Sequence, residues 1–326
     1  MQAKPASAPS GFRMPGLGLL SGTQGPLIGL LLLCLVFSLA SPYFLSVRNA
    51  LNILDQVTVL GILAIGMTAV IITGGIDLSV GSVLALSMMM MGWLEREVGV
   101  PLPLAVLVGI ATGAACGLVS GLLITKARLP AFIATLTMLS IARGLANLLT
   151  DGRQIVGYAD WFTSLATVRH LGFFSATVTL FILLTILAGA YLRFRPGGRD
   201  LYAIGGSAEV ARLAGIEVQK LTVAVYVVSS ALAGVAAMAL AARLDSSQPS
   251  AGTGYELDTI AAVVIGGASL SGGVGSIGGT VVGVLIIGVL RNGLNLLGVS
   301  PFIQQIVIGV VIAAAVAFDT LGRRNR

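Results

Sequence analysis

Long apolar stretches, separated by short polar or glycine-rich breaks, run through almost the whole chain. Ten of them fall near residues 27–42, 53–72, 79–94, 103–125, 130–149, 173–194, 221–243, 257–272, 278–298 and 302–320. Roughly 17–25 apolar residues carry a helix across the hydrocarbon core of a bilayer. In lipid only helices and closed barrels satisfy their own backbone polar groups, and these runs are too long and too uniform for barrel strands. The pattern predicts an all-α polytopic membrane protein with about ten transmembrane helices. The stretches at 79–94 and 257–272 are short enough to read as broken or re-entrant helices.

Composition sharpens this picture. Of 326 residues, 56% are hydrophobic and 10% charged, against about 25% charged in a soluble domain. Many of the 43 glycines sit inside apolar runs, where small residues let helix backbones approach closely. Cys34 and Cys116 both fall within predicted spans and read as packing residues, not as a disulfide or a metal pair. The net charge of +6 comes from basic residues scattered among loops, with no stripe to bind nucleic acid. The majority of the 19 Lys and Arg residues fall on one side of the predicted topology, which places both termini in the cytoplasm. Residues 1–25, polar and rich in Pro, Gly and Ser with no clear cleavage site, are expected to be a disordered cytoplasmic tail. Residues 26–322 form the membrane domain, with a cytoplasmic loop at 195–220, and 323–326 a short cytoplasmic tail.

Within this framework one carboxylate stands out. The stretch "VIITGGIDLSVGSVLAL", Val70 to Leu86, places Asp77 between apolar runs, although an ionisable group in a membrane costs at least ~2.5 kcal/mol. Two readings follow. Gly74 and Gly75 end one helix while Asp77 or Ser79 accepts hydrogen bonds from the free amides that open the next. Alternatively the break sits deeper, and Asp77 and Ser79 line a pathway for polyol hydroxyls. A related stretch, "GGASLSGGVGS" from Gly266, has serine in place of the aspartate and a two-residue insertion. It suggests a short internal repeat, and it lacks the Gly-Lys-Ser/Thr of a phosphate loop.

The inner loop contains "GSAEVARLAGIEV", Gly206 to Val218, which reads as a short helix with Ser207 as N-cap, Glu209 in the first turn and Gly215 as its stop. Such a helix either rests on lipid headgroups or presents Val210, Leu213 and Ile216 to a cytoplasmic partner. Among later polar residues, Arg143 is a snorkelling anchor or a pathway residue. Arg291, Asn292, Asn295, Gln304 and Gln305 cluster at an outer hairpin, bonding helix to helix or contacting a ligand. In the outer loop at 151–172, Tyr158 and Trp161 fit a membrane interface. The methionines of "SMMMMGW" point around a whole helix circumference and read as packing. His170 has no candidate zinc partners. No catalytic constellation and no metal site is legible.

At "TGGIDLSVGS", Thr73 to Ser82, the chain resembles the permease subunits of ATP-binding-cassette (ABC) importers for ribose and related monosaccharides. The likeness continues in "LYAIGGSAEVARLAGI" from Leu201 to Ile216, in "GGASLSGGVGSIGGTVVG" and in "NGLNLLGVSPFIQQIVIG". The glycine-rich motif is shared with branched-chain amino acid permeases. The resemblance implies a ten-helix fold similar to the cobalamin importer type in a bacterial inner membrane. It implies two permease copies around one pathway, a cytoplasmic ATPase and a periplasmic sugar-binding protein, with ATP and magnesium held by the ATPase and no cofactor in this chain. The segment Ser207, Glu209, Val210, Arg212, Leu213, Gly215 and Ile216 then matches the helix that seats in the ATPase. Asp77, Ser79, Arg143, Asn292, Asn295 and Gln304 are the candidate pathway residues, and Arg291 stands where the family pattern has an uncharged residue. The rival readings are a branched-chain amino acid permease of the same architecture and a secondary transporter with Asp77 as proton relay.

Overall fold

The computed structural model describes residues 24–170 and 172–324; most of the expected tail at 1–25, and the end of the one at 323–326, lie outside them. Helices occupy all ten apolar stretches: α1 (Gln24–Ala40), α2 (Val47–Ile72), α3 (Val80–Arg96), α4 (Leu102–Thr125), α5 (Ala131–Leu148), α7 (Ala176–Phe194), α10 (Val218–Leu244), α11 (Tyr255–Ile265), α12 (Ile277–Leu296) and α13 (Pro301–Arg324). Three further helices lie outside the stretches: α6 (Asp160–Thr167), α8 (Pro196–Gly206) and α9 (Ala208–Leu213). Six of these, α2, α4, α5, α7, α10 and α12, are long and apolar enough to cross a membrane. The 11 residues of α11 extend only about 16 Å, too little to span a hydrocarbon core of roughly 30 Å.

Local chemistry sets the helix ends. Ser46, Ser175 and Ser276 cap α2, α7 and α12, each side chain accepting from a backbone amide of the first turn. Pro101 and Pro130 precede α4 and α5, where a missing N–H costs nothing. Two short antiparallel pairs, Ile155–Val156 with Ser246–Ser247 and Arg169–His170 with Phe174–Ser175, tie together the loops that carry them.

The layering follows from which helices are apolar all round. From Val80 to Met89 every residue of α3 is buried, and Met88, Met89 and Met91 lie in the core, as expected of a helix enclosed on all sides. Most of α2 is buried as well. The flanking helices instead present Leu31, Leu39, Leu107, Leu148, Ile186 and Phe194 outward, a surface that suits lipid. Gly113 and Gly117 of α4 lie against the main chain of Ser230 and Tyr226 in α10, with no room for a Cβ, so the two helices meet almost backbone to backbone. Cys34 and Cys116 are free and half-buried.

Tyr158, a residue type that fits a membrane interface, is packed against protein. It is 7% exposed, its hydroxyl shares a 2.6 Å hydrogen bond with Ser247 Oγ, and burial pushes the phenol up to about 12; Trp161 beside it is exposed. After Arg195, the "PGGR" run opens a helix, because Pro196 starts α8 with a φ already suited to it.

Candidate transport site

Three non-helical segments interrupt the bundle: 73–79 between α2 and α3, 247–254 before α11, and 266–276 between α11 and α12. Backbone of this kind is tolerated at membrane depth only where protein or a water-filled cavity satisfies it. The first segment begins with the turn that glycine permits. Gly74 has φ +79, its amide donates to Ile71 O, and the Gly75 amide donates to Val70 O at 3.0 Å, closing α2 as a Schellman motif.

Asp77 then organises the return. It is fully buried. Its Oδ1 accepts from the Ser79 amide at 2.9 Å and the Ser79 hydroxyl at 2.6 Å, and its Oδ2 accepts from Ser229 Oγ at 3.2 Å. Asp77, not Ser79, therefore supplies the acceptor that starts α3; Ser79 makes no side-chain cap and donates instead. Ser229 lies 11 residues past the start of α10, about 16 Å along it, so the carboxylate sits well inside the bundle. The Ile76 carbonyl accepts from Thr135 of α5 and Tyr226 of α10. Two helices, α5 and α10, thus grip one turn.

The third segment repeats the device. The Gly267 amide donates to Val264 O, the Ala268 amide donates to Val263 O at 3.1 Å, and Ser269 Oγ accepts from the Ser271 amide at 3.1 Å, as Asp77 accepts from Ser79. The two breaks touch. The Gly273 amide donates to Ile72 O at 2.8 Å. Gly205, near the end of α8, abuts both groups with no room for a Cβ, and the Tyr202 hydroxyl donates to Gly275 O at 2.9 Å.

The second segment runs beside α3, with Ser247 Oγ donating to Met88 O at 2.7 Å and Gly252 pressed on the main chain of Gly81. Arg143 serves it. Its Nη1 donates to Pro249 O at 2.6 Å and Ala251 O at 2.9 Å, supplying donors that unwound carbonyls need in a dry interior. The guanidinium is neither a free surface anchor nor an unengaged group.

The residues of the α12–α13 hairpin divide. Asn292 is buried and exchanges two amide hydrogen bonds with Asn49 of α2, at 2.9 and 3.0 Å, so it joins helices. Asn49 was not singled out in the sequence, where it is one polar residue in a mixed helix start. Asn295 is exposed. Gln304 is half-buried and donates to Val299 O at 2.9 Å. Arg291 of α12 pairs with Asp258 of α11, a partner the sequence reading also missed.

Helix α9 forms as its sequence predicts. Ser207 Oγ accepts from the Val210 amide at 3.3 Å, Glu209 lies in the first turn, and Gly215, at φ +87, ends the turn while the Ile216 amide donates to Ala211 O. Val210 and Leu213 are 64% and 79% exposed, Glu209 and Arg212 are exposed, and Ile216 is half-buried.

A family model described as branched-chain amino acid transport system / permease component matches residues 49–316. The chain is 46% identical over 297 residues to the ribose import permease protein RbsC of Bacillus subtilis, covering 90% of this chain and 92% of that one. It is 37% identical over 303 residues to the fructose import permease protein FrcC of Rhizobium meliloti, covering 90% and 84%. It is 35% identical over 311 residues to the L-arabinose ABC transporter permease protein AraH of Azospirillum brasilense, covering 95% and 91%. No solved structure matches the chain.

Proposed function

We infer the function from one premise: this chain belongs to the family described as branched-chain amino acid transport system / permease component. Within that family it is the membrane-spanning permease subunit of an ABC importer for ribose or a related monosaccharide. The observation that carries this reading is the 46% identity to a ribose import permease over nearly the full length of both chains. The fructose and arabinose permeases among its relatives favour a sugar over an amino acid. The chain is a transport subunit and not itself a catalyst.

The finer reading has ten spans in a fold like that of the cobalamin importer, both termini in the cytoplasm of a bacterial cell, and two permease copies sharing one pathway. A separate ATPase holds ATP and magnesium, and a periplasmic binding protein delivers the sugar. The exposed Val210 and Leu213 of α9 support docking of the ATPase there, since paired apolar side chains on a charged helix bury well in a partner's groove.

The contact of α8 with both helix breaks supports a route for the stroke. When ATP draws the ATPase subunits together, α8 and α9 move, and Gly205 bears directly on Ile72 O and Gly273 N. The breaks at 73–79 and 266–276 then shift as a unit, switching the pathway between outward and inward access. Packed elements of this sort have discrete arrangements, and nucleotide biases them by its differential affinity for the two states. Asp77 and Ser79 act as the joint of the first break, Arg143 steadies the unwound segment, and Asn295 and Gln304 face the pathway from the outer hairpin. A bacterial strain lacking only its ribose permease tests the assignment: this chain should restore growth on ribose, and failure despite normal membrane expression would count against the sugar.

A further inference from the structure

Resting on the reading of the chain as a sugar permease, we propose that the cavity at the outer ends of α11, α12 and α13 is a hydroxyl-recognition subsite for a neutral monosaccharide, with Asp258 and Arg291 as its polar floor. The cavity holds about 350 Å³ and is lined by Asp258, Arg291, Gln304 and Gln305 together with Leu257 and Ile308. That volume lies within the range of small-ligand pockets, and a few convergent polar groups among apolar walls is their usual composition.

The chemistry narrows the occupant. Asp258 is almost fully buried at its side chain, and its Oδ2 accepts from Arg291 Nη2. Its Oδ1 has no donor among the described residues, and it has the lone pairs to take hydroxyl hydrogens. Arg291 is 39% exposed at its side chain and uses one of its five donors on Asp258. A carboxylate and a guanidinium side by side offer acceptors and donors in the spacing that adjacent hydroxyls of a sugar require.

Because the two charges of the lining offset each other, the cavity favours a neutral solute over a phosphate, a metal ion or a carboxylic acid. A zwitterionic amino acid would have to part the pair and insert between its members. Hydroxyls need only add to atoms that are still free. Gln304 donates to Val299 O and keeps its own carbonyl oxygen for the cavity, and exposed Gln305 adds a second amide at the rim. Leu257 and Ile308 suit the C–H face of a pyranose or furanose ring.

The test uses the full complex, permease with its ATPase and binding protein, in proteoliposomes. Thr253→Cys, exposed at the rim of the same cavity, is introduced into a chain carrying Cys34→Ala and Cys116→Ala, and its labelling by a small neutral methanethiosulfonate is timed with D-ribose, with L-leucine and with no solute. D-ribose in excess should slow labelling about fivefold or more, as occupancy of a single site requires, L-leucine should not, and Asp258→Asn or Arg291→Gln should abolish the protection. An unchanged rate with ribose overturns the proposal, as does protection by leucine in its place or protection that survives both substitutions. If neither substitution assembles, protection in the reporter chain decides alone. ATP-driven ribose uptake in the same vesicles keeps the two readings apart: uptake without protection removes the subsite and leaves the permease, and protection without uptake does the reverse.

Discussion

The amide of Gly273 donates to the carbonyl of Ile72 at 2.8 Å, joining the break that follows α11 to the last turn of α2. Through this bond, and through Gly205 lying against both of its ends, α8 touches the interior of the bundle without an intervening side chain. A main-chain junction of this kind has little slack.

Adding a side chain at Gly205 should therefore break transmission. Gly205→Val puts carbon atoms where Ile72 O and Gly273 N stand, an overpacking that costs about 1–3 kcal/mol. Uptake should fall at least tenfold while the ATPase still binds. Paired assays of uptake and of ATPase co-purification check this; normal uptake would show that the junction carries no motion.

Asp77→Asn keeps the Oδ1 acceptor used by Ser79, whereas Asp77→Ala removes it. The alanine variant should lose about 1–3 kcal/mol, the penalty for buried donors left unpaired, and accumulate poorly in the membrane. The asparagine variant should accumulate normally yet transport less. Quantified membrane protein beside initial uptake rates separates the two, and equal losses in both quantities for asparagine would leave Asp77 with a capping role only.

The reciprocal amides of Asn49 and Asn292 predict a coupled pair. Each single change to Ala should destabilise by about 0.6 to 1.7 kcal/mol, the range measured for polar contacts between membrane helices. The double variant should cost less than the sum, because the second change removes a group already unpaired. Unfolding in mixed micelles measures all three, and strict additivity would contradict the pairing.

Because Leu213 is exposed on α9, Leu213→Asp should leave the permease as stable as before. It should nonetheless reduce ATPase binding by about tenfold, the equivalent of roughly 1.4 kcal/mol at an interface anchor. Thermal unfolding of the chain alone and titration with the ATPase provide the comparison. Unaltered affinity would place the docking surface elsewhere.

Features whose cause lies within a few residues were legible in the sequence. The close of α2 at Gly74 and the whole of α9, from Ser207 to Gly215, follow from glycine dihedrals and short-range capping. The repeat between 74–82 and 266–276, weak as a match of letters, recurs as the same pair of hydrogen-bonded turns. Long-range pairings were not legible. Nothing near Arg143 announces carbonyls at Pro249 and Ala251, and nothing near Arg291 announces Asp258 on another helix, since both depend on how the chain folds back. The helix α8 was hidden for a different reason: paired glycines favour turns, but here Gly198 is pressed against the main chain of Tyr191 and Leu192, and tertiary contact overrides propensity.

In the function proposed above, this chain is a passive conduit moved by a separate motor. The most direct test is sugar accumulation in vesicles that contain the permease and the sugar-loaded binding protein, with the ATPase either included or left out. Accumulation against a gradient is expected only with the ATPase and ATP; accumulation by the permease without any ATPase, driven for instance by a proton gradient, would contradict the passive role.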